Sequence, residues 1–315
     1  MFENIGLVIC TRSRLDNVRT LFKSLASADG LPANIVLVDS SPELTRGSYN
    51  FPPTVVFDYL RSEPGLPKQR NVGIAHLLTK LRESLDLIIF LDDDVAVPPQ
   101  FFSVILDCMS RNPNAIGIGA YDKNLQSPSS KFRLGDLVLG VRSDNPYSVL
   151  KSGLTYSGSV VEHDVVVDWF PGHSMVFRRE LFDLELFDAT IRMFGEDVEF
   201  QSRARVHGDL LMSSELYVFH SSEPSGRVND YKTALYSDGA RWNLAVKKRY
   251  RVNKTSAIGA TIMLAIHDLA DFLRHGNRGK LFSFCGHVGF LFHLVSGRNT
   301  LDLVEYAPAK VGVRE

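Results

Sequence analysis

The stretch Leu87-Ile88-Ile89-Phe90-Leu91-Asp92-Asp93-Asp94 decides how the rest of the chain is read. An unbroken apolar run containing Ile and Phe reads as a strand buried on both faces. Its three carboxylates then emerge together at the strand's carboxyl end, where open α/β sheets place their ligands. Like charges packed this tightly repel one another unless solvent or a cation intervenes. The cluster is therefore a candidate Mg²⁺ or Mn²⁺ site, and the structural alternative is an acidic turn that closes a strand.

The residues before it supply the partners such a strand needs. Ile5-Gly6-Leu7-Val8-Ile9-Cys10 reads as a first strand, and Val18, Leu21, Phe22 and Leu25 stand at helical spacing within 17–28. Ile35-Val36-Leu37-Val38 is a second strand ending at Asp39, residues 55–59 a third, and 68–84 a long helix. Strands alternating with helices predict a largely parallel sheet with right-handed crossovers. Beyond about Asn112 the pattern weakens. Residues 127–164 are rich in Ser, Gly, Asp and Asn, which predicts loops and short strands around a substrate cleft. Order returns at Val165, with a strand at Met175-Val176-Phe177 and another at Leu216-Tyr217-Val218-Phe219, ending at His220. Residues 196–206 lack helix breakers, so Glu196 and Asp197 fall in the first turn of a helix, where its dipole favours negative charge.

Composition narrows the class. The 315 residues carry 35 basic against 36 acidic side chains, a balance that does not suggest a nucleic-acid partner. The length suits one large α/β domain with additions, or two domains. Cys10, Cys108 and Cys285 are scattered without metal-ligand spacing, which fits a reducing compartment. Met1 leads directly into strand-like sequence with no basic stretch and separate apolar core, so no secretory signal is read, and the expected location is the cytoplasm.

Taken in order from Ile5 to His220, these segments resemble the inverting, metal-dependent glycosyltransferases of family 2. The resemblance implies a GT-A fold: a Rossmann-like, mostly parallel sheet flanked by helices, here with a helical carboxy-terminal extension. Val8-Ile9-Cys10-Thr11-Arg12 is similar to the family's first strand and nucleotide-binding loop, which implies donor contacts for Thr11 and Arg12. Asp39 resembles the acid that reads the base. The segment from Gly65 to Gly73 resembles the one that closes over the nucleotide, which implies roles for Lys68, Arg70 and Asn71. Asp92-Asp93-Asp94 matches the DXD motif, implying Asp94 as the direct metal ligand and Asp92 and Asp93 as donor contacts. His220 resembles the histidine that completes the metal site, and Gly195-Glu196-Asp197 the segment that supplies the catalytic base.

Chemistry supports those assignments. A divalent cation stabilises the diphosphate that departs from a nucleotide-sugar donor. Inversion needs a carboxylate on the opposite face to take the acceptor's proton, and Asp197 is the candidate, with Glu196 holding the acceptor. Asp39 could accept from a uracil or thymine imide, favouring UDP or dTDP donors, or could be a turn residue. Trp169 and Phe170 could form a sugar platform or belong to the core; Gly172 and His173 are placed near donor sugar and acceptor. The acceptor class is a glycan or a lipid-linked glycan. A sugar-nucleotide nucleotidyltransferase would need a Gly-rich phosphate loop, which Thr11-Arg12-Ser13-Arg14 lacks; a metal-lacking glycan-binding module is the non-enzymatic alternative.

The expected division is a catalytic domain over 1–225, its nucleotide-binding half at 1–112 and acceptor-binding half at 113–225, followed by a helical region at 226–315. In the latter, Arg241, Lys247, Lys248, Arg249, Arg251 and Lys254 form a basic stretch without intervening acids. Apolar segments at 257–266 and 281–295 follow, each short for a membrane span. Together they suggest peripheral attachment to an anionic inner leaflet, with packing on the catalytic domain as the alternative.

Overall fold

The computed structural model describes residues 2–42, 51–124, 147–157, 161–191, 194–221 and 229–297. The amino-terminal part alternates as expected: β1 (Phe2–Thr11), α1 (Leu15–Ala26), β2 (Pro32–Asp39), β3 (Val56–Arg61), α2 (Leu66–Leu81), β4 (Leu87–Asp92), β5 (Val95–Ala96) and α3 (Phe101–Arg111). Then come β6 (Ala115–Asp122), β7 (Ser148–Val149), β8 (Thr155–Tyr156), β9 (Val165–Val166), β10 (Ser174–Arg178), α4 (Glu196–Ala204) and β11 (Asp209–His220). The chain closes with α5 (Asp230–Val246), α6 (Lys254–His275) and α7 (Arg278–Val295).

The central sheet runs β3-β2-β1-β4-β10-β6-β11-β5, with β9 beside β11. β1 to β4 are mutually parallel, β6 and β11 are parallel to each other, and β10 runs antiparallel between β4 and β6. The sheet is mixed α/β and mostly parallel. Because β2 and β3 extend to one side of β1 while β4 lies on the other, the strand order reverses at β1 and β4. The crevice outside their carboxyl ends is where such a sheet binds ligands.

Period-two alternation explains why these strands are buried on both faces. Ile5, Leu7 and Ile9, together with Ile35, Leu37, Leu87, Ile89 and Leu91, point into one cluster with Val18, Leu21 and Leu25 of α1 and Phe101 and Ile105 of α3. Val8, Val36, Val38, Ile88 and Phe90 point into the other, against Ile74 and Leu77 of α2 and the aromatic group Phe177, Phe182 and Phe200. Each fully buried Leu, Ile or Phe contributes about 1.5–3 kcal/mol. Close approach of α2 needs Gly73, where a Cβ would stand 2.4 Å from Val8 Cγ1.

The weakened pattern after Asn112 conceals a fully buried strand, β6, whose sequence AIGIGAYD carries two glycines. A Cβ at Gly117 would meet Phe177 and one at Gly119 would meet Phe170, at 2.5 and 2.3 Å. The glycines that blur the strand signal are what let aromatic rings lie on the sheet. Much of the expected loop region, 125–146 and 158–160, lies outside the described residues.

The carboxy-terminal helices are capped by Asn229, Asn253 and Asn277, whose side chains accept from Lys232 N, Ser256 N and Gly279 N. α5 and the turn after it are docked on the part of the chain that follows Asn112. Leu244, Ala245, Val252 and Ala257 join the sheet's second cluster, Lys247 pairs with Asp188, Arg249 with Glu199 at 3.4 Å, and Tyr250 donates to Asp168 O at 2.8 Å. Lys254 lies over the Trp242 ring and Arg241 is buried against Asp238. Four members of the basic stretch therefore serve internal contacts, leaving Lys248 and Arg251 as its exposed members without such a contact among those described.

Candidate active site

The switch point gathers the acidic triplet and its partners. Asp92 ends β4, and its backbone N–H donates to His173 O at 3.0 Å, tying the triplet to the start of β10. Thr11, at the end of β1, donates to Asp93 Oδ2 at 2.6 Å. Gln69 of α2 holds this corner together by donating to Thr11 O and Val38 O, both at 2.9 Å. Arg14 reaches over from the start of α1, its Nη1 3.1 Å from Asp93 Oδ1 and 3.3 Å from Asp94 Oδ2. Arg14 was not among the residues singled out from sequence. The available signal was a cation three residues past the β1 end, at a helix start facing the triplet.

β11 crosses from the far side and brings His220 to Asp94, Nε2 to Oδ1 at 3.2 Å. The strand end is fixed by Asp122, which accepts from His220 N at 3.1 Å, and by Ser221, which donates to Asp94 O through N–H and hydroxyl at 3.0 and 2.9 Å. Burial pushes Asp94 up, but the His220 hydrogen bond and charge, with Arg14, hold its carboxyl below the usual range. His220 is drawn down by burial and raised above its ordinary value by Asp94 and its acidic neighbours. Asp92 differs: burial, then Asp94 and Asp93, push it up to about 7 against the opposing Arg70.

Beside His220 lies His173, ring centroids 4.9 Å apart. His173 is buried, both its ring nitrogens lack a hydrogen-bond partner, and burial pulls it down to about 3, so it is neutral.

Arg70 links this acidic cluster to α4. Its guanidinium is buried, sits 5.2 Å above the Phe187 ring, and reaches Asp92 Oδ1 at 3.6 Å, Glu196 Oε1 at 3.3 Å and Gly172 O at 3.0 Å. Gly172 N in turn donates to Asp197 Oδ2 at 3.0 Å, while Asp197 Oδ1 accepts from Val198 N at 2.8 Å. Asp197 keeps part of its surface open, yet the groups packed around it desolvate it. That burial, with the Glu196 charge, pushes it up to about 7 against the opposing Arg70. α4 starts at Gly195, whose φ of 76° is the left-handed region that glycine tolerates. Gln201, missed from sequence, clamps Phe170 by accepting from its N–H and donating to its C=O, both at 2.8 Å.

The expected site residues thus divide. Thr11, Arg70, Asp92, Asp93, Asp94, Gly172, His173, Glu196, Asp197 and His220 converge. Arg12 is exposed on the β1–α1 loop. Lys68 donates to Glu63 at 3.0 Å on the surface. Asn71 spends its amide on the backbone of Phe187, donating to O at 2.8 Å and accepting from N at 3.0 Å, and so supports the ring beneath Arg70. Trp169 packs edge-on to Tyr147 in the core, the alternative to a sugar platform. Asp39 is fully buried at the end of β2, with Ser41 donating to Oδ1 through N–H at 2.7 Å and through its hydroxyl, and Tyr59 to Oδ2 at 2.6 Å.

The family model of glycosyl transferase family 2 matches residues 7–183. The chain is a family 2 glycosyltransferase. The match covers β1 through the short helical turn after β10 and stops before Asp197 and His220, which the fold itself carries back to the site. The glycosyltransferase is similar in fold to the mannosyltransferase PcManGT from Pyrobaculum calidifontis, solved with GDP-Man and Mn²⁺. The two share 11 % identity at a TM-score of 0.54, over 95 % of this chain and 89 % of that one. Residues 1–349 of S. aureus TarS, solved with UDP-GlcNAc, align over 94 % of this chain and 92 % of that one, at 12 % identity and a TM-score of 0.48. No curated protein matches the sequence. The fold is GT-A.

Proposed function

We propose that this glycosyltransferase moves a sugar from a nucleotide-diphosphate donor to a hydroxyl of a glycan acceptor, with inversion at the anomeric carbon and Asp197 as general base. The observation that carries the reading is the line of contacts from the acidic triplet to Asp197, an ion pair from Asp92 to Arg70 followed by hydrogen bonds from Arg70 to Gly172 O and from Gly172 N to Asp197. It holds the Asp197 carboxylate beside the switch-point crevice, which supports a role as proton acceptor. In the displacement, the acceptor oxygen forms a bond to the anomeric carbon as the carbon–phosphate oxygen bond breaks. The electron pair leaves with the diphosphate and the acceptor's proton passes to Asp197. Each Asp197 oxygen already accepts one backbone hydrogen bond, which leaves a second acceptor position for that proton. A carboxylate raised to about 7 suits a base working near neutrality.

Among the described residues no group of three or more His, Cys, Asp and Glu side chains is set to enclose a metal ion. Asp94 and His220 form a two-residue donor set of one hard oxygen and one imidazole nitrogen, which fits Mn²⁺ or Mg²⁺ held jointly by protein and phosphate oxygens. His173 beside them, with its unpaired nitrogens, supports that fit. When bound, the cation supplies Lewis-acid stabilisation to the departing diphosphate. Arg14 and Arg70 contribute fixed positive charge on either side of the triplet, and Arg70 also counters the charge of Glu196.

The resemblance of the Asp39 segment favours UDP or dTDP donors, although Asp39 itself is buried and bonded to Ser41 and Tyr59, so it would act by holding the strand end beside the base. The free thiols Cys10, Cys108 and Cys285 fit the cytoplasm. The test is a donor screen that follows nucleotide release in Mn²⁺ with candidate glycans or lipid-linked glycans, with the anomeric configuration of the product then assigned by NMR. A product that retains the donor's configuration would overturn the reading.

A further inference from the structure

The carboxy-terminal helices have their polarity reversed. Between α5, α6 and α7 lie Asp238, Arg241, Asp268 and His287, all buried. Arg241 pairs with Asp238, His287 Nδ1 is 2.7 Å from the other Asp238 oxygen and its Nε2 3.7 Å from Asp268, and Lys280 donates to Asp268 at 2.8 Å. The outward side is the apolar one. Ile262, Ile266 and Leu273 of α6, and Phe282, Phe292 and Val295 of α7, are 44 to 88 % exposed. With the exposed Ala270 of α6 and the exposed Cys285 and Val288 of α7 between them, they recur at steps of three or four, so each helix presents a continuous, mainly apolar stripe. The two-residue connection Gly276-Asn277 folds the helices back on each other, and they pack side by side.

Water selects the opposite arrangement, with charge outside and Ile, Leu and Phe within. Charged groups paired inside and aliphatic or aromatic groups outside are what a hydrocarbon solvent selects. α6 is also the described helix long and apolar enough to cross a membrane by length and composition, yet only 28 % of its most apolar window is buried. Its inner face, with Ala257, Ala260, Thr261 and Ala265, is taken up by packing, so one stripe alone is offered outward. That one-sidedness fits a helix lying in an interface better than one crossing it. No acid occurs from Gly239 to His267, and Lys248, Arg251 and Lys254 are exposed towards the amino-terminal end of the α6 stripe. This complements anionic headgroups.

We propose that the paired outer stripes of α6 and α7 form a lipid-contact surface that seats the enzyme on an anionic bilayer. Most of the basic stretch is used internally, so the helix pair carries the larger part of this contact. A catalytic site seated this way can meet an acceptor carried on a lipid.

The test is co-sedimentation of the full chain with phosphatidylcholine vesicles and with phosphatidylcholine–phosphatidylglycerol vesicles, for wild type, Ile266→Glu, Phe292→Glu and Lys248→Gln/Arg251→Gln. Both apolar positions are exposed, so the glutamates leave the fold intact, checked by circular dichroism. The wild type is expected to pellet with anionic vesicles, and each glutamate to lower its partition at least about tenfold. The Gln pair should weaken binding to anionic vesicles and leave phosphatidylcholine binding unchanged. Wild type remaining in the supernatant with both vesicle types overturns the proposal. So does an unchanged partition of the glutamate variants, or a vesicle-free dimer in sedimentation velocity that Ile266→Glu converts to monomer, since the stripe then seats a second copy of this chain.

Discussion

Gly172 N donates to Asp197 Oδ2 at 3.0 Å, while the carbonyl of the same glycine accepts from Arg70. One residue without a side chain thereby joins the proposed base to the buried cation of α2. A Cβ built on Gly172 would lie 3.0 Å from Asp197 Oδ2 and 3.3 Å from Arg70 Nη2. Gly172→Ala is therefore expected to displace both groups, costing about 1–3 kcal/mol in stability and at least about tenfold in kcat. Urea denaturation and steady-state transfer kinetics check the two numbers separately.

Arg70 lowers Asp197 electrostatically and is enclosed by carboxylates. Arg70→Met removes a buried charge and leaves Asp92 and Glu196 uncompensated, with an expected loss of about 3–5 kcal/mol. In the fraction that folds, the acid limb of the pH–rate profile moves to higher pH, because the base loses its cation. A profile unmoved by the substitution contradicts the electrostatic role and leaves a purely structural one.

As the proposed base, Asp197 would also link catalysis to stability. Its pKa is raised to about 7, above the unfolded value, so the folded state holds a proton that the unfolded state gives up. This costs stability progressively as pH rises from about 4 to about 7. Asp197→Asn is expected to melt about 1–3 °C above wild type at pH 8, with the gain vanishing near pH 4. Scanning calorimetry at the two pH values measures it.

How much of this was legible in sequence depended on the signal each residue left. The apolar run 87–91 with its acidic end, the period-two strands and the Val18–Leu21–Leu25 stripe announced the switch point, since burial on both faces demands those residue types. β6 was hidden because its aromatic neighbours require Gly117 and Gly119, which dilute the strand pattern. Asp39, Asn71 and Trp169 show a different limit. Their chemistry suits a ligand and a scaffold equally, and hydrogen bonds made to Ser41, Tyr59 and Phe187, and packing on Tyr147, become visible only when the chain is folded. Arg14 and Gln201 were overlooked for the converse reason, since each works through partners at least thirty residues away.

Asp94 and His220 are separated widely in sequence and meet at 3.2 Å. Asp94→Ala is expected to abolish the gain in nucleotide-diphosphate affinity that Mn²⁺ provides, and His220→Ala to reduce it by at least about 10-fold, since even residues that only support a metal ligand are worth that much. Titration calorimetry of UDP with and without Mn²⁺ separates the two variants. Equal Mn²⁺ enhancement in all three proteins would remove both residues from the metal site.

The central claim is that Asp197 accepts the acceptor's proton, and transfer by purified Asp197→Ala tests it most directly. The expected result is a folded protein that still binds donor in Mn²⁺ and whose turnover is lower by about 10²–10⁴-fold. Transfer at a rate near that of the wild type, from protein shown to be folded, would contradict the account.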